Sequence, residues 1–291
     1  MNAFHSKPNI FVNHVHLKVE NLSRSLEFYQ MLLGFQVLKQ SGNKAELTAN
    51  GITPLLTIEQ PEGIIPKQMH TTGLYHYALL LPTREDLGKL ITLLSNAQYP
   101  LQGAAYHGTH EALYFQDPDG NGIEAAVDTD PSTWRDKTGK LDFSKHGPMD
   151  IKSVVAAANG ERWTGMPVGT IIGHIHLTVS DLEKTKKFYQ AGLGFDVVMN
   201  LPNQGIFFST GGYHHHVGTS VWSGKNAPKP AANSVGLHSY TLVIPDDETR
   251  KSVVGNLEAM GYIVTEEEGV FFTEDPSGNR IHLGNGSHLP E

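Results

Sequence analysis

Glu124 stands between Ile123 and Ala125 in an apolar run that reads as a strand, where a buried carboxylate is costly without a cation or another partner. The phrase that carries it, LYFQDPDGNGIEAAV from Leu113 to Val127, returns near the C-terminus as VFFTEDPSGNRIHLGN from Val270, with His282 opposite Glu124. Four more histidines, His14, His76, His174 and His238, lead strand-like runs at matched places in a repeated unit. One such histidine alone reads as an ordinary hydrogen-bonded residue; four of them, with a buried carboxylate, read as ligands for a divalent metal. The chain has no cysteine, which excludes disulfides, thiolate metal sites and a Cys nucleophile.

The elements that must position these groups are legible as repeats. NHVHLKVENLSRSLEFYQMLLGFQVL, starting at Asn13, is echoed by GHIHLTVSDLEKTKKFYQAGLGFDVV, starting at Gly173. Period-two alternation in HVHLKV and HIHLTV predicts a strand, and Leu22, Leu26, Tyr29 and Leu33 then recur at helical spacing. Ser180 followed by Glu183 predicts a capping box, and Gly34 and Gly194 suit left-handed helix ends. Shorter relatives of the unit begin at Gly73 and Gly236, and each leads into one copy of the phrase around Glu124 or His282. The chain is therefore expected to be α+β, with four βαβββ modules: modules one and two over 8–127, a polar connector over 128–169 with a short helix near Ile151, and modules three and four over 170–287. The DPDG and DPSG stretches are turn signals without a catalytic role, and Trp134 in the connector is expected to serve packing.

A net charge of −8 without a basic block argues against a nucleic-acid or anionic-membrane partner. No apolar run is long enough to span a bilayer, and MNAFHSKPNIFV lacks the order of a signal peptide, so a cytoplasmic location is expected. A small molecule is the expected partner; homo-oligomerisation is left open.

Strand, helix and three strands, four times over, with a leading histidine and a closing DPxGNxIE, resemble the vicinal oxygen chelate superfamily, which holds glyoxalase I, bleomycin resistance proteins and extradiol dioxygenases. The four-module length is similar to the catechol 2,3-dioxygenase-like proteins of bacilli. The resemblance implies two incomplete, curved mixed-sheet barrels, one of which binds a divalent metal on its concave side. It implies Fe(II), with Mn(II), Zn(II) or Ni(II) as alternatives, and an aromatic substrate of catechol or hydroquinone type opened with O2. A glyoxalase-like lyase or isomerase, or a non-catalytic binder of aromatic compounds, are the other readings.

The same resemblance carries residue roles. His76 and Glu124 would be ligands, with His174 as the third if modules two and three pack together, or His14 if sequential modules do. Module three also brings GGYHHHVGTSVW, so the pairing of two with three is favoured. His14, His238 and His282 would then form an equivalent second site in the other barrel, suited to zinc. His215 matches a histidine that handles protons, Tyr114 the tyrosine ten residues before the metal Glu, and His107 or His110 a loop histidine beside the substrate. Read as a strand, YHHHV turns His215 to the face opposite His214 and His216.

Overall fold

The computed structural model describes residues 3–267 and 269–284, so the last residues assigned to module four, 285–287, lie outside the described residues. Module one runs through β1 (Phe11–Lys18), helix α1 (Leu22–Leu26), which widens into a π-type turn, β2 (Gln36–Ser41), β3 (Lys44–Thr48) and β4 (Pro54–Glu59). Module two holds β5 (Gly73–Leu80), α2 (Arg84–Asn96), β6 (Leu101–Tyr106), β7 (His110–Gln116) and β8 (Gly122–Asp128). The connector adds β9 (Gly147–Pro148) and α3 (Ile151–Ala157). Then come β10 (Ile171–Thr178), α4 (Leu182–Lys187), β11 (Asp196–Leu201), β12 (Gly205–Ser209) and β13 (Val217–Ser220). Module four supplies β14 (Gly236–Val243), α5 (Asp247–Ala259), β15 (Val264–Glu267), β16 (Val270–Glu274) and β17 (Arg280–Gly284).

These strands make two mixed, open sheets, and the fold is α+β. The eight-stranded sheet runs β15-β16-β17-β14-β1-β4-β3-β2, and the nine-stranded sheet runs β11-β12-β13-β10-β5-β8-β7-β6-β9. Strands of modules one and four thus share one sheet, and strands of modules two and three share the other. The two meet where β1 lies near β10 and β14 near β5. Val15 and Leu17 of β1, like Ile175 and Leu177 of β10, are fully buried. Because side chains alternate along a strand, this burial turns His14 with His16, and His174 with His176, to the opposite face. No helix among the described residues is long and apolar enough to cross a membrane.

Local chemistry explains the helix ends and the repeated turns. Gly34 and Gly194 sit at φ of 78° and 81°, where a Cβ is disfavoured. The expected capping role of Ser180 falls instead to Asp181, whose carboxylate accepts from the N–H groups of Glu183 and Lys184, while the Ser180 hydroxyl lies against that of Ser277. A carboxylate at the last extended residue is the better acceptor for orphan N–H groups at the positive end of the helix. In the DPDG turn, Asp117 accepts from the N–H groups of Asp119 and Asn121, the Asn121 amide and the Tyr29 hydroxyl, the last at 3.0 Å. Tyr29 also meets the Tyr77 hydroxyl at 3.1 Å. The second copy repeats the arrangement with Asp275, Asn279, Tyr189 and Tyr240.

The N-terminal turn is fastened to the nine-stranded sheet by His5, which donates from Nε2 to the Gly173 carbonyl at 2.8 Å and packs edge-on against Tyr213 and Phe11. Burial lowers the His5 pKa from 6.5 to about 4, against the opposing effect of its bond to Gly173. The unfolded chain therefore binds a proton near pH 6.5 that the folded chain refuses until about pH 4, and this residue withdraws stability as pH falls through that window. The loss is roughly 3 kcal/mol over the whole window. Urea midpoints measured from pH 7 to pH 4.5 should fall for the wild type and fall less steeply for His5→Gln; equal slopes would remove His5 from the acid response.

Candidate metal centre

Directly opposed residues in neighbouring strands share a face, and this places the predicted groups in two adjacent rows. One row crosses β10, β5, β8 and β7 as His174, Ala78, Glu124 and Tyr114. The next reads His176, His76, Gly122 and Gln116. The small residues lie between the functional ones: Ala78 separates His174 from Glu124, and Gly122 sits beside His76. Irregularities between Ile172 and His174, and between His176 and Leu177, skip Gly173 on β10 and Tyr75 on β5. They bring both β10 histidines over the centre of the sheet.

The result is a tight cluster. His76 Nε2 lies 3.0 Å and His174 Nε2 3.2 Å from Glu124 Oε2, and the two imidazole nitrogens are 3.4 Å apart. The three side chains are only 9%, 2% and 2% exposed in the order His76, His174, Glu124. His110 Nε2 is 3.2 Å from the other oxygen, Oε1, at an angle that leaves this buried oxygen without a hydrogen bond. Burial alone would raise the Glu124 pKa, but His174 and then His110 and His76 outweigh it and hold the carboxyl well below its usual range. Burial lowers the His174 pKa, against the pull of Glu124. Two imidazoles and a carboxylate, with ligand atoms all within 4.8 Å of one another and one oxygen still unsatisfied, fit a divalent metal.

Around this cluster the other predicted residues take definite places. The Tyr114 hydroxyl is 2.8 Å from His107 Nε2, and burial followed by the charge of Glu124 raises its pKa. His107 Nδ1 meets His146 Nδ1 at 3.1 Å, and His146 is exposed. Burial and the neighbouring His110 lower the His107 pKa to about 3. His215 packs its ring 4.1 Å from that of His174. The alternation expected within YHHHV does not hold, because β13 begins only at Val217 and the trio lies in the preceding turn. His214 and His215 both line the cavity, with Nδ1 atoms 2.8 Å apart, while His216 turns away to the Phe4 carbonyl. His214 Nε2 is held by Asp128 at 3.0 Å. Asp128 is the residue that sequence reasoning passed over: it ends the Glu124 strand, but nothing in its spacing points to the HHH turn 86 residues away. His110, an alternative to His107 at the sequence level, opens β7 and is the one of the two that reaches the carboxylate.

Above the cluster opens a cavity of about 1150 Å³ lined by His76, Tyr114, Glu124, His176 and His215, with Met199, Leu201 and Phe207 on an apolar side. Tyr75 and Trp222, 46% and 52% exposed, form an aromatic rim with His176, at ring separations between 4.9 and 5.1 Å. Trp134, 2% exposed, packs against Phe4 and His214 behind the site rather than in it.

The family profile described as the Glyoxalase/Bleomycin resistance protein/Dioxygenase superfamily matches residues 11–125 and 171–283, the two halves on either side of the connector. The chain belongs to this superfamily. It is 42% identical over 279 residues to the catechol-2,3-dioxygenase of Bacillus subtilis (strain 168), covering 95% of this chain and 96% of that protein. Among solved structures, a putative dioxygenase from Bacillus subtilis shares the fold with a TM-score of 0.64 at 14% identity, over 97% of this chain and 88% of that one. Glyoxalase I from Zea mays does so with a TM-score of 0.60 at 14% identity, over 96% and 94%.

The family's repeated halves are not equivalent here. In the eight-stranded sheet the row matching His174, Ala78, Glu124 and Tyr114 reads His14, Thr241, His282 and Phe272. His14 bonds the Thr57 hydroxyl at 2.8 Å in that sheet, so it is not a third ligand for Glu124. Nor do His14, His238 and His282 converge. Strand register places Ser239, not His238, at the position of His76, and His238 at that of Tyr75. One residue of offset carries the ring along the strand to His16, on which His238 packs at 4.1 Å, while His282 Nδ1 meets the Thr241 hydroxyl at 3.2 Å.

Beside the cluster the tolerance is narrow at Gly122, where a Cβ would overlap the Tyr75 carbonyl oxygen and lie 3.1 Å from His76 Cβ. Gly122→Ala should force β8 from β5, cost about 1–3 kcal/mol in urea unfolding and weaken metal retention. A variant with wild-type stability and metal content would show that this contact does not hold His76 in place.

Proposed function

We propose that this chain is a non-haem Fe(II) extradiol dioxygenase that opens a catechol- or hydroquinone-type ring with O2, with His76, Glu124 and His174 holding the metal. The observation that carries the reading is the convergence of these three side chains, with an unsatisfied carboxylate oxygen, where His76 and Glu124 line a cavity shared with His215 and Tyr114 and His174 closes the cluster from the buried side. The curated relative's name, catechol-2,3-dioxygenase, supports the same class. Mn(II), Zn(II) and Ni(II) suit the donor set too; oxygen chemistry selects a redox metal over zinc. Bound Fe(II) would supply a place where the diol and O2 sit side by side and a path for electrons between them.

The chain's own groups then prepare the substrate. Asp128 accepts from His214 Nε2–H, which leaves His214 Nδ1 to accept from His215 Nδ1–H, so Nε2 of His215 carries a lone pair. Burial, then the neighbouring His174 and His214, holds the His215 pKa well below 6.5. His215 is thereby neutral with a free lone pair, and, being a weak base, would take a proton only from a substrate hydroxyl that a bound metal makes more acidic. Tyr114 keeps its proton, directs its hydroxyl through His107 toward His146, and offers a route for proton exchange with solvent. The cavity exceeds the roughly 300–1,000 Å³ common for small-molecule sites, and the Tyr75–Trp222 rim presents aromatic faces, so a substituted ring suits it better than bare catechol.

Elemental analysis of anaerobically prepared protein should find iron in the wild type and in His14→Ala, and lose it in Glu124→Ala and His174→Ala. Oxygen uptake with substituted catechols should follow the iron. Metal bound without oxygen uptake would favour a glyoxalase-like lyase on the same ligands, and absence of metal would favour a binding protein. In a separate test, His215→Asn should retain its metal yet lose about 10²- to 10⁴-fold in kcat. Wild-type turnover by that variant would remove His215 from proton transfer.

A further inference from the structure

The eight-stranded sheet has its own ligand set, and it lies one rung away from the place the repeat would assign. His16 Nε2 is 3.0 Å from Glu59 Oε2, at an angle that leaves this buried nitrogen without a hydrogen bond. His238 stacks its ring on His16 with centroids 4.1 Å apart and 30° between planes. Its Nδ1 faces the Ser239 hydroxyl at 3.2 Å, so Nε2 is the nitrogen left for a ligand role. One ligand atom from each of the three residues lies within 4.8 Å of the others. They come from three adjacent strands, β14, β1 and β4, at the irregularity between His16 and Leu17 that passes over His238.

We propose that His16, Glu59 and His238 form a second divalent-cation site of the zinc or nickel class, independent of the reading of the first centre. In the sister sheet the matching residues are His176, Ser220 and Tyr75, an imidazole and a phenol ring 5.1 Å apart with no carboxylate. Exchanging the serine for Glu59 and the tyrosine for His238 turns an aromatic contact into two nitrogen donors and one oxygen. Imidazoles select transition metals over calcium and magnesium, and the Glu59 side chain, 25% exposed, leaves room for a water as fourth ligand. Lys18, opposite Glu59 on β1, is held by the Ala232 carbonyl at 2.6 Å, and Arg280 pairs with Glu267. A bound ion would join module one to module four at the middle of their common sheet.

The test is a metal count in the full-length chain, stripped and reloaded with Zn(II), with Co(II) absorption as a second readout. The Glu124→Ala/His174→Ala protein, with its first centre disabled, should still bind one equivalent, and adding either His238→Asn or Glu59→Gln should abolish it. Circular dichroism on each variant establishes that it is folded, and the two alternative substitutions guard against failure of one. If the wild type binds a single equivalent that His238→Asn removes and Glu124→Ala leaves, the second site stands and the first reading falls. If the Glu124→Ala/His174→Ala protein binds nothing, or its equivalent survives both His238→Asn and Glu59→Gln, the second site is overturned.

Discussion

A carboxylate enclosed in the middle of a nine-stranded sheet sets the terms for the rest of this molecule. Taking Glu124 out of water costs several kcal/mol, which only close positive or hydrogen-donating partners offset. His76 and His174 lie within 3.2 Å of one of its oxygens and His110 the same distance from the other. Each imidazole comes from a different strand, so the requirement is met only if β5, β7, β8 and β10 are in one register. That register in turn needs small residues where the large ones lean together, which is the role of Ala78 and Gly122. It also needs modules two and three in the same sheet, since His174 belongs to the third.

Sheet pairing and chain order run across each other, and buried hydroxyls tie them together. Tyr29 of module one bonds Tyr77 and Asp117 of module two, although those modules lie in different sheets; Tyr189 repeats the link from module three to module four. Neither sheet can shift against the other without stranding these groups, because a buried donor or acceptor without a partner costs about 1–3 kcal/mol. The turn that Asp117 organises ends where β8 begins at Gly122, two residues before Glu124. A motif with no chemical role thus fixes the entry of the strand that carries the carboxylate.

Much of this architecture is legible in the amino-acid sequence. The repeat, the strand-helix-strand order and the glycines at the helix ends follow from residue types at regular spacing, while His76 and Glu124 as ligands, with His174 or His14 as the third, come from the family resemblance. What escaped was decided by single-residue offsets and by contacts distant in sequence. His238 is matched to His76 as a leading histidine, but GLHSY set against GLYHY already places it opposite Tyr75, and the strand register agrees. The three histidines of YHHHV look like alternating strand residues, yet they precede the strand and two of them reach the cavity. Asp128, which sets the tautomers of His214 and His215, is joined to them only by the packing of β8 against the module-three turn.

The same physics explains why a repeat can keep its turn and exchange the carboxylate for an imidazole. At the His76 position the eight-stranded sheet has Ser239 and at the Tyr114 position Phe272. A glutamate in place of His282 would be half-buried with His14 as its one imidazole neighbour from the matching row. A neutral imidazole is far cheaper to bury, and Thr241, standing where Ala78 stands in the other sheet, gives His282 a hydroxyl partner. In the other sheet that place holds Ala78, across which His174 and Glu124 approach each other. The middle residue of the row therefore changes with its neighbour: a threonine hydroxyl partners the imidazole, where an alanine leaves the carboxylate to the histidines around it.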